Sequence, residues 1–88
     1  MTCPYFAAFC FSAPDFAEGP LFGFTTPRAL GKAVVRNRLR RRVREAVRIE
    51  RSAFGASWMV VFNPRRAAAD APFEELRREV AKVASRCK

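Results

Sequence analysis

Residues 31–48 read GKAVVRNRLRRRVREAVR and carry the strongest structural signal in the chain. Apolar residues recur in this stretch at the i, i+4, i+8, i+11 and i+12 spacing that places them on one side of an α-helix. They are Val35, Leu39, Val43, Ala46 and Val47. The pattern predicts an amphipathic helix from about Val34 to Glu50 that frays near Ser52, with Gly55 as the terminating residue. We expect the apolar stripe to be buried.

Arginine dominates the rest of this predicted helix. If the apolar stripe faces a core, the basic side chains must occupy the remaining arc of the helix surface. A row at i+4 spacing is formed by Arg36, Arg40, Arg44 and Arg48. Guanidinium groups grip phosphate in a bidentate manner and stack on bases. Asn37 lies between two arginines, and its amide can bond a base edge, a 2′-hydroxyl or a metal-bound water.

The excess positive charge of the chain is concentrated in the same region. The 88 residues carry 17 Lys and Arg against 8 Asp and Glu, a formal charge of +9, and residues 28–51 alone hold ten bases and two acids. A helix face that contacts only solvent normally alternates acids and bases at i, i+4 spacing. The concentration of bases in residues 28–51 therefore predicts a polyanionic partner. A membrane-surface helix, which would favour Trp or Phe on its apolar side, and an acidic protein partner remain alternatives.

The other segments predict a small sheet with helices on one side of it. In order, they are strands at 5–12, 21–26 and 58–62, a loop at 13–20, and a last amphipathic helix that begins near Pro72. The first two strands should be antiparallel because their connection is short, and Asn63-Pro64 should end the third. The order strand, strand, helix, strand, helix predicts an α+β sandwich. We expect residues 1–88 to form a single RNA-binding domain.

Aromatic residues are concentrated on the predicted strands. They are Tyr5, Phe6, Phe9, Phe11, Phe22, Phe24, Trp58 and Phe62. Aromatic side chains on a sheet beside a basic groove can stack on the bases of single-stranded RNA. The same residues can fill the core of a small domain, and the sequence leaves both roles open. Thr25, Thr26 and Arg28, between strand and helix, could bind phosphate or make local turn contacts.

Catalytic and metal-binding constellations are missing from the sequence. It has no histidine, its acids are scattered, and Cys3, Cys10 and Cys87 lack the spacing of a metal site. We therefore expect no catalytic and no metal-binding residue. The cysteines predict reduced thiols in a cytoplasmic protein. We expect neither a membrane span nor a signal peptide, because the apolar runs are short.

The central motif resembles the signature of the bacterial ribonuclease P protein family. The resemblance rests on Gly31, an alanine-valine step at 33–35, the Arg-Asn-Arg triplet at 36–38 and the basic helix that continues from it. Residues 23–28, GFTTPR, match the strand that precedes the motif in that family. The third strand, the loop at 63–69 and the closing helix also fit. The match covers nearly the whole chain, and the Arg-Asn-Arg helix is its most specific part.

The resemblance implies a fold and a function. Members of that family form a small, ribosomal-protein-like α/β sandwich with a left-handed βαβ crossover. They pair with a large catalytic RNA, and the ribonucleoprotein cuts the 5′ leader from precursor tRNA with Mg²⁺ held mainly by the RNA. The chain would then be the non-catalytic protein subunit of an endoribonuclease, with no membrane contact and no obligate protein partner. The main alternative is a ribosomal-type structural RNA-binding protein with no processing role.

The resemblance and the residue patterns together predict two sets of binding residues. The RNA-binding set is Arg28, Lys32, Arg36, Asn37, Arg38, Arg40, Arg41, Arg44 and Arg48. The leader-stacking set is Tyr5, Phe9, Phe22 and Phe24. Family members usually begin with a further helix and short strand that line the leader cleft, so we expect this chain to lack the usual N-terminal helix and that wall of the cleft. Arg28 stands where the family has a lysine, and Pro27 and Ala29 stand where it tends to have serine and lysine.

Overall fold

The computed structural model describes residues 1–12 and 19–88, which contain three strands and two α-helices. The strands are β1 (Phe6–Ser12), β2 (Leu21–Phe24) and β3 (Trp58–Pro64), and the helices are α1 (Ala33–Ile49) and α2 (Phe73–Arg86). The predicted α+β order is confirmed, and both ends of α1 lie within one residue of their predicted limits. Most of the predicted loop at 13–20 lies outside the described residues.

The described strands form one mixed sheet in the order β1-β3-β2. β3 is antiparallel to β1 and parallel to β2. The first two strands therefore run in opposite directions, as predicted, but their short connection does not make them neighbours. The reason is that β2, α1 and β3 form a βαβ unit, whose two strands are parallel and adjacent. The other edge of β3 stays open in this unit, and β1 pairs with it.

β3 is two residues longer than predicted. Asn63 and Pro64 continue the ladder by pairing with Ala7 and Phe6 of β1. β2 ends earlier, at Phe24, two residues short of its predicted end. Because β2 has already ended, it has no carbonyl group that needs a hydrogen bond from the backbone N–H that Pro64 lacks. β3 therefore tolerates a proline at its end.

The first three residues cover the outer edge of β1. The N-terminal ammonium group of Met1 donates to the carbonyl of Ala8 at 2.9 Å, and the N–H of Ala8 donates to the carbonyl of Met1 at 2.7 Å. The N–H of Cys3 donates to the carbonyl of Phe6 at 2.9 Å. This pairing gives β1 backbone partners on both sides and protects an edge that would otherwise be open.

The hydrophobic core lies between one face of the sheet and the two helices. Its most completely buried side chains include Phe6 and Ala8 of β1, Leu39, Val43, Ala46 and Val47 of α1, Val60 and Phe62 of β3, and Leu76, Val80, Val83 and Ala84 of α2. Phe6 and Phe62 meet edge to face, with 5.3 Å between ring centroids, which is a favourable aromatic geometry. Four of the five residues of the predicted apolar stripe are therefore confirmed as buried.

Val35 is the exception, because its side chain is 37% exposed. The first turn of α1 packs on the chain that precedes it: a Cβ built on Gly31 would lie 3.6 Å from Val35, and Val35 lines a surface depression together with Leu30. The part of α1 that enters the core begins at Leu39. The prediction that Val35 faces the core was wrong.

Candidate nucleic-acid interface

The charges at the start of α1 oppose helix stability, whereas those at both ends of α2 support it. α2 has Glu74 and Glu75 in its first turn and Arg86 in its last turn, the arrangement that the helix dipole favours. α1 follows Lys32, has no acid in its first turn and lacks a side-chain cap. Basic side chains near a helix N-terminus are unfavourable for the helix itself. The concentration of arginine on α1 is therefore not explained by helix stability.

The polar side chains of α1 surround its buried stripe on three sides. From the helical spacing, one flank carries Arg36, Arg40 and Arg44, the other carries Arg38 and Arg42, and the outward side carries Asn37, Arg41 and Arg48. Arg36, Arg40 and Arg42 are half-buried, and the other members of these groups are exposed. The three sides make different contacts.

On the first flank, arginine stacks on aromatic rings of β2. The guanidinium carbon of Arg44 lies 5.4 Å from the ring centroid of Phe24, and that of Arg51 lies 5.8 Å from the ring centroid of Phe22. Cation–π contacts of this kind attract and orient a guanidinium group. Phe24 stacks in turn on Phe62, with 5.7 Å between centroids. Arg44 is nevertheless exposed, so a phosphate group can reach it from solvent.

The second flank of α1 binds the protein itself. Arg42 donates to the carbonyl oxygens of Ala69 and Ala71, at 2.5 Å each. Arg38 donates to the same oxygen of Ala69 through Nε at 3.3 Å and Nη2 at 3.1 Å. The two arginines thus fasten the segment between β3 and α2 to α1. The sequence gives no signal for these contacts, because their acceptors are backbone oxygens that every residue carries.

We expect Arg42→Ala to lower the free energy of unfolding by about 1–3 kcal/mol, because it removes the charged donor from the carbonyl oxygens of Ala69 and Ala71. Arg41→Ala makes the same charge change at an exposed position of the same helix, and should stay within about 0.5 kcal/mol of the unsubstituted protein. Urea unfolding followed by circular dichroism measures both values. Equal values for the two variants would show that the Arg42 contacts do not stabilise the fold.

On the outward side, one arginine is paired with an acid. Arg48 donates to Glu45 from Nη2 at 2.5 Å and from Nε at 3.0 Å. Hydrogen bonding to Arg48 lowers the pKa of Glu45, and the same bonding raises the pKa of Arg48. Both side chains are largely exposed, with 68% and 46% of their surface accessible. Exposed pairs of this kind are weak, so a phosphate group can displace Glu45 at low cost.

Asn37, in the centre of the Arg-Asn-Arg triplet, is oriented by a neighbour on the next turn. Its side-chain oxygen accepts a hydrogen bond from Nη2 of Arg40. Because the amide oxygen is engaged, the NH₂ group is the part of Asn37 that is suited to donate to a ligand. Asn37 is exposed, so such a ligand could approach from solvent.

The basic surface continues ahead of α1. Arg28 and Lys32 are exposed; Arg28 begins a short 3₁₀ turn that packs on α1, and Lys32 lies between this turn and the helix. The turn is closed by a hydrogen bond from the N–H of Gly31 to the carbonyl of Arg28 at 3.1 Å. Gly31 has a φ of +130°, in the region that glycine adopts without strain. This glycine of the family motif therefore lets the chain turn directly into the helix.

The predicted leader-stacking residues lie in three different places. Tyr5 donates its hydroxyl to Glu75 of α2, and this bond raises the pKa of Tyr5. Phe22 and Phe24 are half-buried on the helix-facing side of β2. Phe9 lies on the opposite face of the sheet and is 48% exposed. The structure does not bring the four together on one surface.

The sheet face that points away from the helices is apolar and accessible. Phe9 and Phe11 of β1 and Leu21 of β2 are exposed, and the residues paired with them, Met59 and Val61 of β3, are half-buried. Side chains directly opposite each other on paired strands share a face, so these five form one surface, here called the outer apolar face. Sequence reasoning selected only Phe9 from it as a binding residue, although the alternation along β1 already groups Phe9 with Phe11.

The arginine surface is not accompanied by a cluster of metal-binding side chains in the described residues. Within residues 1–12 and 19–88, no group of three or more His, Cys, Asp or Glu side chains is placed to hold a metal ion. No helix in these ranges combines the length and the apolar character that crossing a membrane requires. The group that recurs on the polar side of α1 is guanidinium, which stays charged in proteins and donates hydrogen bonds to anions.

Known proteins share both the sequence pattern and the fold. A family model described as Ribonuclease P matches residues 3–88. The chain is 48% identical to the ribonuclease P protein component of Symbiobacterium thermophilum over 64 residues, which are 73% of this chain and 56% of the relative. It is 42% identical to that of Chloroflexus aggregans over 72 residues, which are 81% of this chain and 53% of the relative. The chain thus spans about half the length of these curated relatives.

Solved structures of low sequence identity show the same architecture. The RNase P protein from Thermotoga maritima aligns with a TM-score of 0.83 at 23% identity, covering 100% of this chain and 82% of that chain. The RNase P protein of Staphylococcus aureus aligns with a TM-score of 0.79 at 20% identity and the same coverage. The two helices and the mixed three-stranded sheet are therefore a shared fold. With a family match that extends over nearly its whole length, the chain belongs to the ribonuclease P protein family.

Proposed function

We propose that the chain acts as the protein subunit of ribonuclease P and assists removal of the 5′ leader from precursor tRNA. The observation that carries the proposal is the arginine surface of α1, the exposed and half-buried basic groups that surround its buried stripe. In this assignment the whole chain is one RNA-binding domain, and its principal partner is the catalytic RNA.

Charge and geometry support binding of the catalytic RNA by α1. Arg36, Arg40 and Arg44 line the flank toward β2, and their approach to a phosphate backbone would relieve the mutual repulsion that the helix otherwise carries. Arg41 and Asn37 extend this surface outward, while Arg28 and Lys32 extend it beyond the start of the helix. Arg38 uses Nε and Nη2 within the protein, so it would bind RNA through Nη1.

The aromatic residues support a separate contact with the single-stranded leader. Phe9 and its neighbour Phe11 expose ring surface on which bases can stack. Phe22 and Phe24 would act less directly, because the guanidinium groups of Arg51 and Arg44 lie over their rings; they would hold these groups in position for RNA phosphates. Tyr5 is the least suited of the predicted set, since its hydroxyl is bound to an acid of α2.

The described side chains do not fit a magnesium ion. Glu45 of α1 and Glu50, which directly follows this helix, are each bound to an arginine, Arg48 and Arg77 respectively. Magnesium prefers carboxylate, phosphate and water oxygens. We therefore assign the Mg²⁺ of the reaction mainly to the partner RNA. The protein's part would be to neutralise phosphate charge, which lowers the Mg²⁺ concentration that the assembled RNA requires.

Reconstitution tests this proposal. The purified protein is added to a bacterial ribonuclease P RNA, and cleavage of a precursor tRNA is followed at a Mg²⁺ concentration too low for the RNA to act efficiently by itself. We expect clear stimulation, and a larger one with a full leader than with a minimal leader. A small basic ribosomal protein at equal concentration is the control for non-specific charge.

Two results of the reconstitution would change the assignment. Stimulation no greater than that of the ribosomal protein would contradict the processing role, and RNA binding without stimulation would identify a structural RNA-binding protein. Stimulation that is independent of leader length would support the subunit assignment but contradict the leader contact.

A further inference from the structure

Two cysteines that are distant in the sequence meet in the fold. Cys10 lies on β1 opposite Val60 of β3, on the helix-facing side of the sheet, and Cys87 directly follows α2. Their Sγ atoms are 2.6 Å apart, although 77 positions separate the two residues along the chain. Both thiols are free. Since a disulfide bond is about 2.05 Å long, bonding would require only a small further approach of the two sulfurs.

The backbone around Cys87 is anchored in this position. Its N–H donates to the carbonyl of Ala84 at 3.0 Å, and its carbonyl accepts from the N–H of Gly55 at 2.5 Å. Nε1 of Trp58 donates to the carbonyl of Lys88 at 3.1 Å. A Cβ at position 55 would lie 2.5 Å from the carbonyl carbon of Lys88, so only glycine permits this approach. The two sulfurs therefore meet because the end of α2 is fixed against the start of β3.

The two thiols differ in their access to solvent. Cys87 is fully buried, and this burial raises its pKa to about 12, so it stays protonated at neutral pH. Cys10 is half-buried and lines a surface cavity of about 340 Å³ together with Phe11 and Arg86. An oxidant from solution therefore reaches Cys10 first, and Cys87 is placed to complete a bond to it.

We propose that Cys10 and Cys87 form a disulfide site that closes when the protein meets a small-molecule disulfide such as oxidised glutathione. The Cys10 thiolate attacks one glutathione sulfur, the glutathione S–S bond breaks, and one glutathione leaves as thiolate. The Cys87 sulfur then attacks the Cys10 sulfur, and the second glutathione leaves with the proton that Cys87 gives up. Two protein thiols are thereby oxidised, and one glutathione disulfide is reduced to two thiols.

The bond would connect the first strand of the sheet to the end of the last helix. A cross-link between positions so distant in sequence strongly restricts the unfolded chain and therefore stabilises the folded one. In a reducing cytosol the thiols stay free, so the site responds to oxidation and is not a permanent structural bond. Neither cysteine belongs to the arginine surface of α1, and the proposal does not depend on the function of that surface.

Oxidised glutathione is the probe that tests the site. After incubation with it, we expect the 88-residue chain to lose two hydrogen atoms in its intact mass, with no glutathione retained. The melting temperature should rise by on the order of 10 °C, and dithiothreitol should reverse both changes. Peptide mapping is performed on the Cys3→Ser variant, because trypsin leaves Cys3 and Cys10 in one peptide that ends at Arg28.

Two variants separate this site from other thiol chemistry. Cys3→Ser should retain both the bond and the rise in melting temperature, whereas Cys10→Ser should lose both while remaining folded, because position 10 is only half-buried. A stable glutathione adduct as the end product, a bond that involves Cys3, or a disulfide-linked dimer would each overturn the proposal. So would a Cys10–Cys87 bond that leaves the melting temperature unchanged.

Discussion

Replacement of both Arg36 and Arg40 by alanine is expected to weaken binding to ribonuclease P RNA by roughly a hundredfold, about tenfold for each arginine. Both side chains lie on the flank of α1 that faces β2, and within residues 1–12 and 19–88 neither donates to a backbone oxygen as Arg38 and Arg42 do. Each lost phosphate contact should also reduce the slope of log affinity against log salt by about one unit. Filter binding or fluorescence anisotropy at several salt concentrations measures the affinity and the slope.

Arg78→Ala is the control for loss of positive charge outside α1, and it removes one charge where the double variant removes two. Arg78 is an exposed residue of α2, and its loss changes the net charge without altering α1. We expect its salt slope to equal that of the unsubstituted protein. Circular dichroism verifies that the double variant is folded, since Arg36 and Arg40 are half-buried. If the double variant and Arg78→Ala have the same slope, the arginines of α1 do not contact phosphate.

Leu39→Ala should lower the free energy of unfolding by about 2–5 kcal/mol. Leu39 is the first residue of α1 that is completely buried, so truncation would leave a cavity between the helix and the sheet. A domain of this size is stable by roughly 4–13 kcal/mol, and the substitution therefore removes a large part of the total. Urea unfolding with an unchanged m-value would show that the loss is one of stability and not of two-state behaviour.

Val35→Ala is the informative comparison for Leu39→Ala. The sequence assigns both residues to one apolar stripe, whereas the structure buries Leu39 and leaves Val35 37% exposed. We expect Val35→Ala to cost less than about 1 kcal/mol, because little apolar surface is removed from a packed environment. Equal losses for the two variants would contradict the placement of the first turn of α1.

α1 could be predicted closely because its signals are local. The apolar spacing of Leu39, Val43, Ala46 and Val47 is a property of the helix by itself, and these residues are buried as expected. Val35 fits the same spacing, but its burial depends on whether other elements extend far enough to cover the first turn. Periodicity defines the direction in which a side chain points and does not determine what lies in that direction.

The order of the strands depends on contacts that are distant in sequence. A short connection between β1 and β2 favours a hairpin, but β3 pairs with both strands and separates them. β3 also continues to Pro64 because β1 offers partners for two more residues. A rule that considers only neighbouring segments cannot take into account that β3 pairs with both strands. β3 begins more than thirty residues after the end of β2.

The chemistry of the candidate interface was predictable, but the role of each arginine in it was less so. The arginine content of α1 indicated a polyanionic partner, and the Arg-Asn-Arg triplet indicated the family. Which arginines bind the protein itself could not be foreseen, because Arg38 and Arg42 bond to the carbonyls of Ala69 and Ala71, whose position depends on the tertiary fold. The placement of Tyr5 beside α2 has the same origin.

Single-turnover cleavage of a precursor tRNA, measured against protein concentration at low Mg²⁺, tests the central claim most directly. The protein and its Arg36→Ala/Arg40→Ala variant are each titrated onto a fixed amount of ribonuclease P RNA. If α1 binds that RNA, the variant should require on the order of a hundredfold more protein, the factor expected for its loss of affinity, and should approach the same maximal rate. Superimposable curves would contradict the assignment of the arginine surface of α1 as the binding site for the catalytic RNA.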